Sequence, residues 1–291
     1  MWRFVEYGLL RTAAEFINIF PIKISTWITK RIGEFVWFLL PGRRKVALSN
    51  LNIAFGDSKT KKEKKKIVLQ SFYHLTVSMM EFFRITKFEK TAEQNITLKG
   101  AENFDKAFEK GKGAILIMSH LGPWEYLAFV PHLKKYDCTV LGRAIRNPFI
   151  HRWILNLRKS VSVKNTPKVG AAKKILSQLK NNHMVAITMD QWAGNDELWI
   201  DFFNQSASTV SLPARLAKKT GCALIPTYCF RMAPGKYEIH CHPEIFFKDN
   251  ENKSIEDLTV ELNKTLEEQV AAHPEQWLWT HKRWKGKKTY N

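Results

Sequence analysis

The residues best suited to chemistry lie in one short stretch, Gly113 to Glu125, which reads GAILIMSHLGPWE. Ala114 to Met118 is an apolar run of the kind that forms a buried strand. It ends on Ser119-His120, and Gly122-Pro123 then break the extended chain. Pro123 is placed to open a helix through Trp124, Glu125 and Tyr126. His120 then stands at the carboxyl end of a strand, where α/β sheets bind ligands, and Glu125 in the first turn of the next helix. A neutral imidazole can take a proton from a hydroxyl, and a carboxylate on its other nitrogen fixes the tautomer and stabilises the imidazolium. The spacing therefore predicts Glu125 folded back onto His120, beside a helix amino end that would favour a developing oxyanion. The same spacing also fits a strand-end histidine bonded to its own loop, with Glu125 favoured only by the helix dipole.

Other charged residues fall at strand ends. Arg143 follows an extended run at 139–142, Asp190 closes one at 185–189, and Arg231 is the last residue of one at 223–231. Buried charges are costly unless paired or used, so this rim together with His120 predicts a site for an anionic substrate. A purely structural Arg143–Asp190 ion pair is the alternative.

The elements that must position these residues follow an alternating pattern. Helices are expected near 102–110, 147–159, 170–181, 212–219 and 254–272. Strands are expected at 114–119, 139–142, 185–189, 199–203, 207–210, 223–231 and 237–242, the last two joined by a Pro234-Gly235 turn. This alternation implies an α/β fold, a mixed and largely parallel sheet flanked by helices. Residues 1–40 read as helices broken at Pro21 and stopped at Pro41-Gly42, and 63–86 as a further helix with apolar residues at helical spacing. The expected division is an N-terminal pair of amphipathic helices at 1–42 and one body from 43 to 291 that carries the site.

Composition narrows the function. The chain has 291 residues, 45% of them hydrophobic, with 46 Lys and Arg against 27 Asp and Glu, a formal net charge of +19. That length buries one substantial core, and the surplus charge calls for an anionic partner: a membrane surface, an acidic carrier protein, a phosphorylated substrate or nucleic acid. The four cysteines, Cys138, Cys222, Cys229 and Cys241, show no paired spacing for zinc or a disulfide framework, which fits a reducing, cytosol-facing setting. The first forty residues are rich in Trp, Phe, Ile and Leu but interrupted by Arg3, Glu6, Arg11, Glu15, Lys23, Lys30, Arg31 and Glu34. No run reaches the ~18 uncharged apolar residues a spanning helix needs. Helices lying in a membrane interface, with Trp2, Trp27 and Trp37 at headgroup level, are one reading; a helical hairpin packed on the core is the other. The lysine run at Lys59, Lys61, Lys62, Lys64, Lys65 and Lys66 is either a solvated helix face or an attachment to anionic lipid. The closing PEQWLWTHKRWK reads as a core-covering segment ahead of an interfacial belt. No helix-turn-helix, RNA-binding or zinc signature is present, and no G-x-S-x-G nucleophile elbow.

These residues resemble a known family. His120-Leu-Gly-Pro-Trp-Glu125 matches the H-x-x-x-x-D/E mark of the lysophospholipid acyltransferase superfamily. Arg143-Ala-Ile-Arg-Asn147-Pro148, Arg158, Asp190-Gln191, Phe202-Phe203 with Ala207-Ser-Thr209, and the tail from Pro274 to Lys285 match the bacterial lipid A biosynthesis acyltransferases, the lauroyl and myristoyl transferase group. Arg43-Arg44, Asn50-Leu51 and Ala54-Phe55 match an upstream segment of the same group, so the likeness covers about 40 to 287. It implies an enzyme of the cytosolic face of the bacterial inner membrane that moves a fatty acyl group from acyl carrier protein, or acyl-CoA, to a hydroxyl of a lipid A precursor. Acceptors such as mannosylated phosphatidylinositol are implied equally. In that resemblance His120 is the general base and Glu125 its partner; Arg143, Arg158, Lys168 and Asp190 bind substrate. No metal, cofactor, covalent acyl-enzyme or nucleic acid is implied.

Overall fold

The computed structural model describes residues 1–167, 170–245 and 253–286. Three helices open the chain, α1 (Trp2–Ile19), α2 (Ile22–Leu39) and α3 (Pro41–Phe55), before the long α4 (Lys61–Phe83) and the short α5 (Ile85–Glu89) and α6 (Ala92–Asn95). Then come β1 (Ile96–Lys99), α7 (Glu102–Glu109), β2 (Ala114–Met118), a 3₁₀ turn (Trp124–Ala128), α8 (Phe129–Lys134) and β3 (Cys138–Gly142). They are followed by α9 (Pro148–Lys159), β4 (Val163–Pro167), α10 (Ala171–Lys180), β5 (Met184–Thr188), β6 (Leu198–Phe202) and β7 (Gln205–Thr209). The last elements are α11 (Leu212–Thr220), β8 (Ala223–Ala233), β9 (Lys236–Cys241) and α12 (Ile255–Ala272).

Seven strands form one sheet in the order β1-β9-β8-β2-β5-β3-β4, and every neighbouring pair is parallel except β8–β9. Strands β6 and β7 make a separate antiparallel hairpin. A sheet built this way is covered on both faces, which is why β2 is apolar at every position. Ala114, Leu116 and Met118 face one helical layer, while Ile115 and Ile117 pack with Ile175, Leu179 and Leu216 of α10 and α11 in the other. The mixed α/β architecture is the one the alternating pattern implies.

Local detail differs from expectation in places. As expected α2 stops ahead of Pro41, at Leu39, but Pro41 also opens a new helix at the first position of α3, where a missing N–H costs nothing. The helix expected at Pro123 is a 3₁₀ turn followed by the short α8. Pro131 explains this, since a continuous α-helix would drive its ring into the Leu127 carbonyl. Strands β1 and β4 were not expected; they are short edge strands, and β1 alternates apolar and polar over only four residues.

Specific polar contacts tie the N-terminal helices to the sheet domain. Arg84, 6% exposed, donates to the Ile17 and Phe20 carbonyls at the end of α1 and to the Ser25 hydroxyl. The Ser25 hydroxyl donates to the same two carbonyls, so Arg84 and Ser25 together satisfy this helix end. Asn147 caps α9 through the Phe149 and Ile150 amides and also donates to the Arg3 carbonyl and to Glu6 of α1. The Asn147-Pro148 motif is therefore a helix cap and a docking point. In the lysine run, Thr60 and Glu63 form a reciprocal capping box for α4. Lys64 turns inward onto Asn52 and the Gly56 carbonyl, at 2.8 and 2.6 Å. Most exposed large apolar side chains lie in the first forty residues, Trp2, Leu9, Trp27, Phe35 and Phe38 among them. Trp37 instead packs inward under the Arg44 guanidinium. Among the described residues no helix is long and apolar enough to cross a membrane.

Arg231 does not belong to the rim expected around His120. Strand β2 pairs with β8 only as far as Pro226, and β8 continues past it onto α4. There Arg231 donates to both oxygens of Glu81, which is 1% exposed and also accepts from the Tyr237 hydroxyl. The same guanidinium leaves His74 neutral, its pKa pushed down to about 2 by burial and by that positive charge. Such a pair is costly to break and cheap to replace whole. Arg231→Met should therefore cost about 3–5 kcal/mol in urea unfolding, and Glu81→Leu in the same chain should recover most of it.

Candidate active site

Backbone register brings the first two functional residues together. In the β2–β5 pair Met118 stands opposite Thr188, and the Met189 amide bonds to the Met118 carbonyl at 3.2 Å. Two residues further along each strand, His120 and Asp190 meet: Asp190 accepts from the His120 amide at 2.8 Å and from Nδ1 at 2.9 Å. The loop after His120 can leave the sheet because Gly122 has φ +60°, and a Cβ there would lie 2.0 Å from the Cys229 carbonyl oxygen. The C-terminal tail pins that loop, Leu278 donating to the His120 carbonyl and Gly122 to that of Gln276.

Asp190 is 2% exposed, whereas the His120 side chain is 22% exposed. Burial pushes the Asp190 carboxyl toward its neutral form. The His120 ring, the His120 amide and the Trp277 indole, which donates at 3.0 Å, outweigh it and hold the pKa below the usual carboxylate range. A carboxylate so held accepts Nδ1–H and leaves Nε2 as the basic nitrogen. The ring is also flanked by Trp124, edge-on at 5.1 Å, and by the Gln191 amide, 3.5 Å from Nε2.

The structure thus corrects the expected pairing: the carboxylate on the imidazole is Asp190, and Glu125 is engaged elsewhere. Arg158 of α9 grips both Glu125 oxygens, Nε at 3.0 Å and Nη2 at 2.7 Å, and its Nη1 donates to Asn165 of β4 at 3.0 Å. The tight 3₁₀ turn is what swings Glu125 toward α9. Gly142 leaves room for this group, since a Cβ there would fall 2.6 Å from Asn165 Oδ1. Burial lowers the Arg158 pKa, but Glu125 more than compensates and keeps the guanidinium charged.

Under this pair lies a small apolar cavity of about 30 Å³. Its lining joins Trp124, Glu125 and Arg158 to the apolar Leu116, Ala128 and Cys138. Cys138 is fully buried, and its thiol pKa is pushed up to about 12 by that burial, so it offers no thiolate nucleophile.

The other expected residues separate. Arg143 is exposed beyond the end of β3, and Asp190 is committed to His120, so no structural Arg143–Asp190 pair forms. Lys168 lies outside the described residues. Trp277 and Asn165 were not anticipated. Trp277 reads as one more aromatic in an aromatic tail, and Asn165 sits in a strand too polar to stand out. Among the described residues no group of three or more His, Cys, Asp or Glu is placed to hold a metal ion.

Comparison with known proteins bears on what such a site does. A family model described as bacterial lipid A biosynthesis acyltransferase matches residues 6–286. The phosphatidylinositol mannoside acyltransferase of Mycobacterium tuberculosis is 25% identical over 189 residues, 64% of this chain and 58% of that protein. The lipid A biosynthesis acyltransferase of Haemophilus influenzae is 22% identical over 263 residues, 89% of this chain and 81% of that protein. The lipid A biosynthesis lauroyltransferase of Escherichia coli is 22% identical over 272 residues, 87% of this chain and 83% of its own length. Against the mycobacterial relative, then, the match spans less than two thirds of the other chain.

The depressed Asp190 pKa carries a stability signature. A carboxyl whose folded pKa lies below its unfolded value adds stability above the unfolded value, about 3.9, and loses it as acid titrates through the folded one. Wild-type protein should therefore lose unfolding free energy more steeply below about pH 4 than Asp190→Asn, which starts lower. Denaturant titrations at stepped pH read both slopes.

Proposed function

The chain belongs to the bacterial lipid A biosynthesis acyltransferase family, and on that premise we propose that it transfers a fatty acyl group from a thioester to a lipid hydroxyl. The acceptor is a lipid A precursor or a related glycolipid of the phosphatidylinositol mannoside type, the two classes its relatives are named for. One observation carries the reading: an imidazole fixed through Nδ1 by a buried carboxylate packs against Trp124, which itself lines an apolar cavity. The first handles protons, the second takes a hydrocarbon chain.

In this mechanism Nε2 of His120 removes the proton of the acceptor hydroxyl as its oxygen attacks the thioester carbonyl. Asp190 holds the tautomer that leaves Nε2 unprotonated and then stabilises the imidazolium. The tetrahedral intermediate collapses with cleavage of the carbon–sulfur bond, and the imidazolium returns its proton to the departing thiolate. Arg158 offers guanidinium N–H groups near the reacting carbonyl, and Glu125 is the positioning residue that holds Arg158 in place. The acyl chain runs into the cavity past Ala128 and Leu116 toward Cys138. Acyl carrier protein, an acidic donor, suits a chain of net charge +19. The exposed apolar faces of α1 and α2 suit attachment to the cytosolic face of the inner membrane, where the acceptor resides.

Two experiments test this. Purified protein with acyl carrier protein thioester and lipid acceptors should yield one added acyl chain by mass spectrometry. His120→Ala should abolish transfer, and Asp190→Asn should lower kcat about 10²–10⁴-fold. Normal transfer by His120→Ala overturns the mechanism. Ala128→Leu should shorten the accepted chain, cutting kcat/KM for the longest good substrate at least ~10-fold while sparing shorter ones.

A further inference from the structure

A second cavity, of about 280 Å³, lies between α2, α4, the end of β8 and the turn at Pro274–Gln276, and it shares no lining residue with the acyl cavity. Thr26 and Lys30 of α2, His74 of α4 and Glu275 give it polar lining; Met232 and Pro234 are among its apolar residues.

Three features of that lining point to an occupant. Thr26 is 3% exposed, yet its hydroxyl has no hydrogen-bond partner among the described residues. A buried hydroxyl left unsatisfied is costly, and one in a cavity wall is available to a ligand. His74 accepts from Arg231 Nη1 through Nδ1, so the proton of its neutral ring sits on Nε2, and Nε2–H is left to donate. The third feature is charge. Lys30 and Glu275 are of opposite sign, yet neither makes a hydrogen bond or an ion pair among the described residues. Arg231 does not serve them, since its guanidinium is spent on Glu81, Ser78 and His74. The surroundings are apolar and open to the outside: Met232 is 58% exposed, and Ile24 and Trp27, beside Thr26 on α2, are exposed too.

We propose that this cavity binds the phosphoethanolamine headgroup of a bilayer phospholipid that is not itself a substrate. A single cation and a single acid on one cavity match a zwitterion. Lys30 takes the phosphodiester charge, the Thr26 hydroxyl and His74 Nε2–H bond its oxygens, and Glu275 accepts from the primary ammonium. Ile24, Trp27 and Met232 meet the acyl chains. Choline would bring a quaternary ammonium with no N–H for Glu275. Its usual host is a cage of aromatic rings, and Tyr73 is the one phenol, phenyl or indole ring in the described lining. A glycerol headgroup would leave Glu275 without a partner, and a polyanionic headgroup would be repelled by it. The site does not depend on the acyl-transfer reading.

The test uses the full chain and phosphatidylcholine vesicles made with and without phosphatidylethanolamine. Both lipids are zwitterionic, so the surface potential is the same. Wild-type protein should favour the phosphatidylethanolamine vesicles about five-fold in co-flotation, the worth of one net hydrogen bond. Lys30→Gln and Glu275→Gln change the net charge in opposite directions, and both should lose the preference. Lys61→Gln, at the exposed start of α4, should keep it. Circular dichroism confirms that the variants fold. Glycerophosphoethanolamine in solution should compete and glycerophosphocholine should not, which separates headgroup recognition from lipid packing. Equal binding of wild type to both vesicles, or a preference that survives in either cavity variant, overturns the proposal. A loss in Lys30→Gln matched by a gain in Glu275→Gln also overturns it, as a bare charge effect. Calorimetric binding of glycerophosphoethanolamine by protein with no vesicle preference would assign the cavity to a soluble zwitterion and refute the lipid.

Discussion

The parallel pairing of β2 with β5 is the constraint from which the rest of the site follows. Side chains on neighbouring parallel strands meet only when the register is right, and a slip of one residue turns each to the opposite face. Here the ladder runs from Ala114 opposite Met184 to Met118 opposite Thr188, and the chain leaves it with His120 and Asp190 level. Two apolar strands locked between helical layers thus hold a polar pair at their ends. A loop-borne carboxylate would have to lose conformational entropy each time it met the imidazole; Asp190 has lost it on folding. Burial makes this pairing strong, since a carboxylate that sees little water keeps its charge only through the donors fixed around it.

The C-terminal tail does for the loops what the ladder does for the strands. Trp277, Trp279 and Trp284 are each at most 2% exposed. Trp277 reaches Asp190, while Trp284 donates to the Phe202 and Gln205 carbonyls. Arg283 is fully buried, donates to the Ser208 carbonyl and the Thr209 hydroxyl, and stacks on Phe202. The aromatic tail and the Phe202-Phe203…Ala207-Ser-Thr209 segment therefore form one structural unit, with the tail clamped to the β6–β7 hairpin. Their presence together in one sequence is explained by packing. Of the three tryptophans, Trp277 extends that packing to the Asp190 carboxylate.

The alternation of helices and strands was legible because buried parallel strands need apolar runs, and 114–118 and 184–187 are unbroken while 223–230 is interrupted by one polar residue, Thr227. His120 was legible because it ends such a run at a Gly-Pro break. Its partner was misread for a physical reason. Sequence spacing measures proximity along the chain, and Glu125 is near; Asp190 is 70 residues away and becomes near only through register. The 3₁₀ turn that carries Glu125 toward Arg158 depends on Pro131, six positions downstream, whose effect on the preceding turn is not visible in an H-x-x-x-x-E pattern. Arg231 was misplaced for the converse reason: the strand that bears it outruns its neighbour, so ending a strand did not mean ending at the site.

With the roles separated, the two carboxylates make different demands on their surroundings. In the proposed mechanism Asp190 stabilises a charge that comes and goes on the imidazole, so it must stay ionised while its partner cycles, and three donors hold it ionised. Glu125 faces the apolar cavity, where a lone carboxylate would be severely penalised for lost hydration. Its two-pronged bond to Arg158 cancels that charge and leaves a neutral, polar lip between imidazole and hydrocarbon. Exchanging the partners would fail on both counts: a guanidinium on Nδ1 would oppose the imidazolium, and an unpaired Glu125 would close the cavity to an acyl chain. The H-x-x-x-x-E spacing thus makes physical sense as a boundary marker, its histidine on the wet side of the site and its glutamate on the dry side.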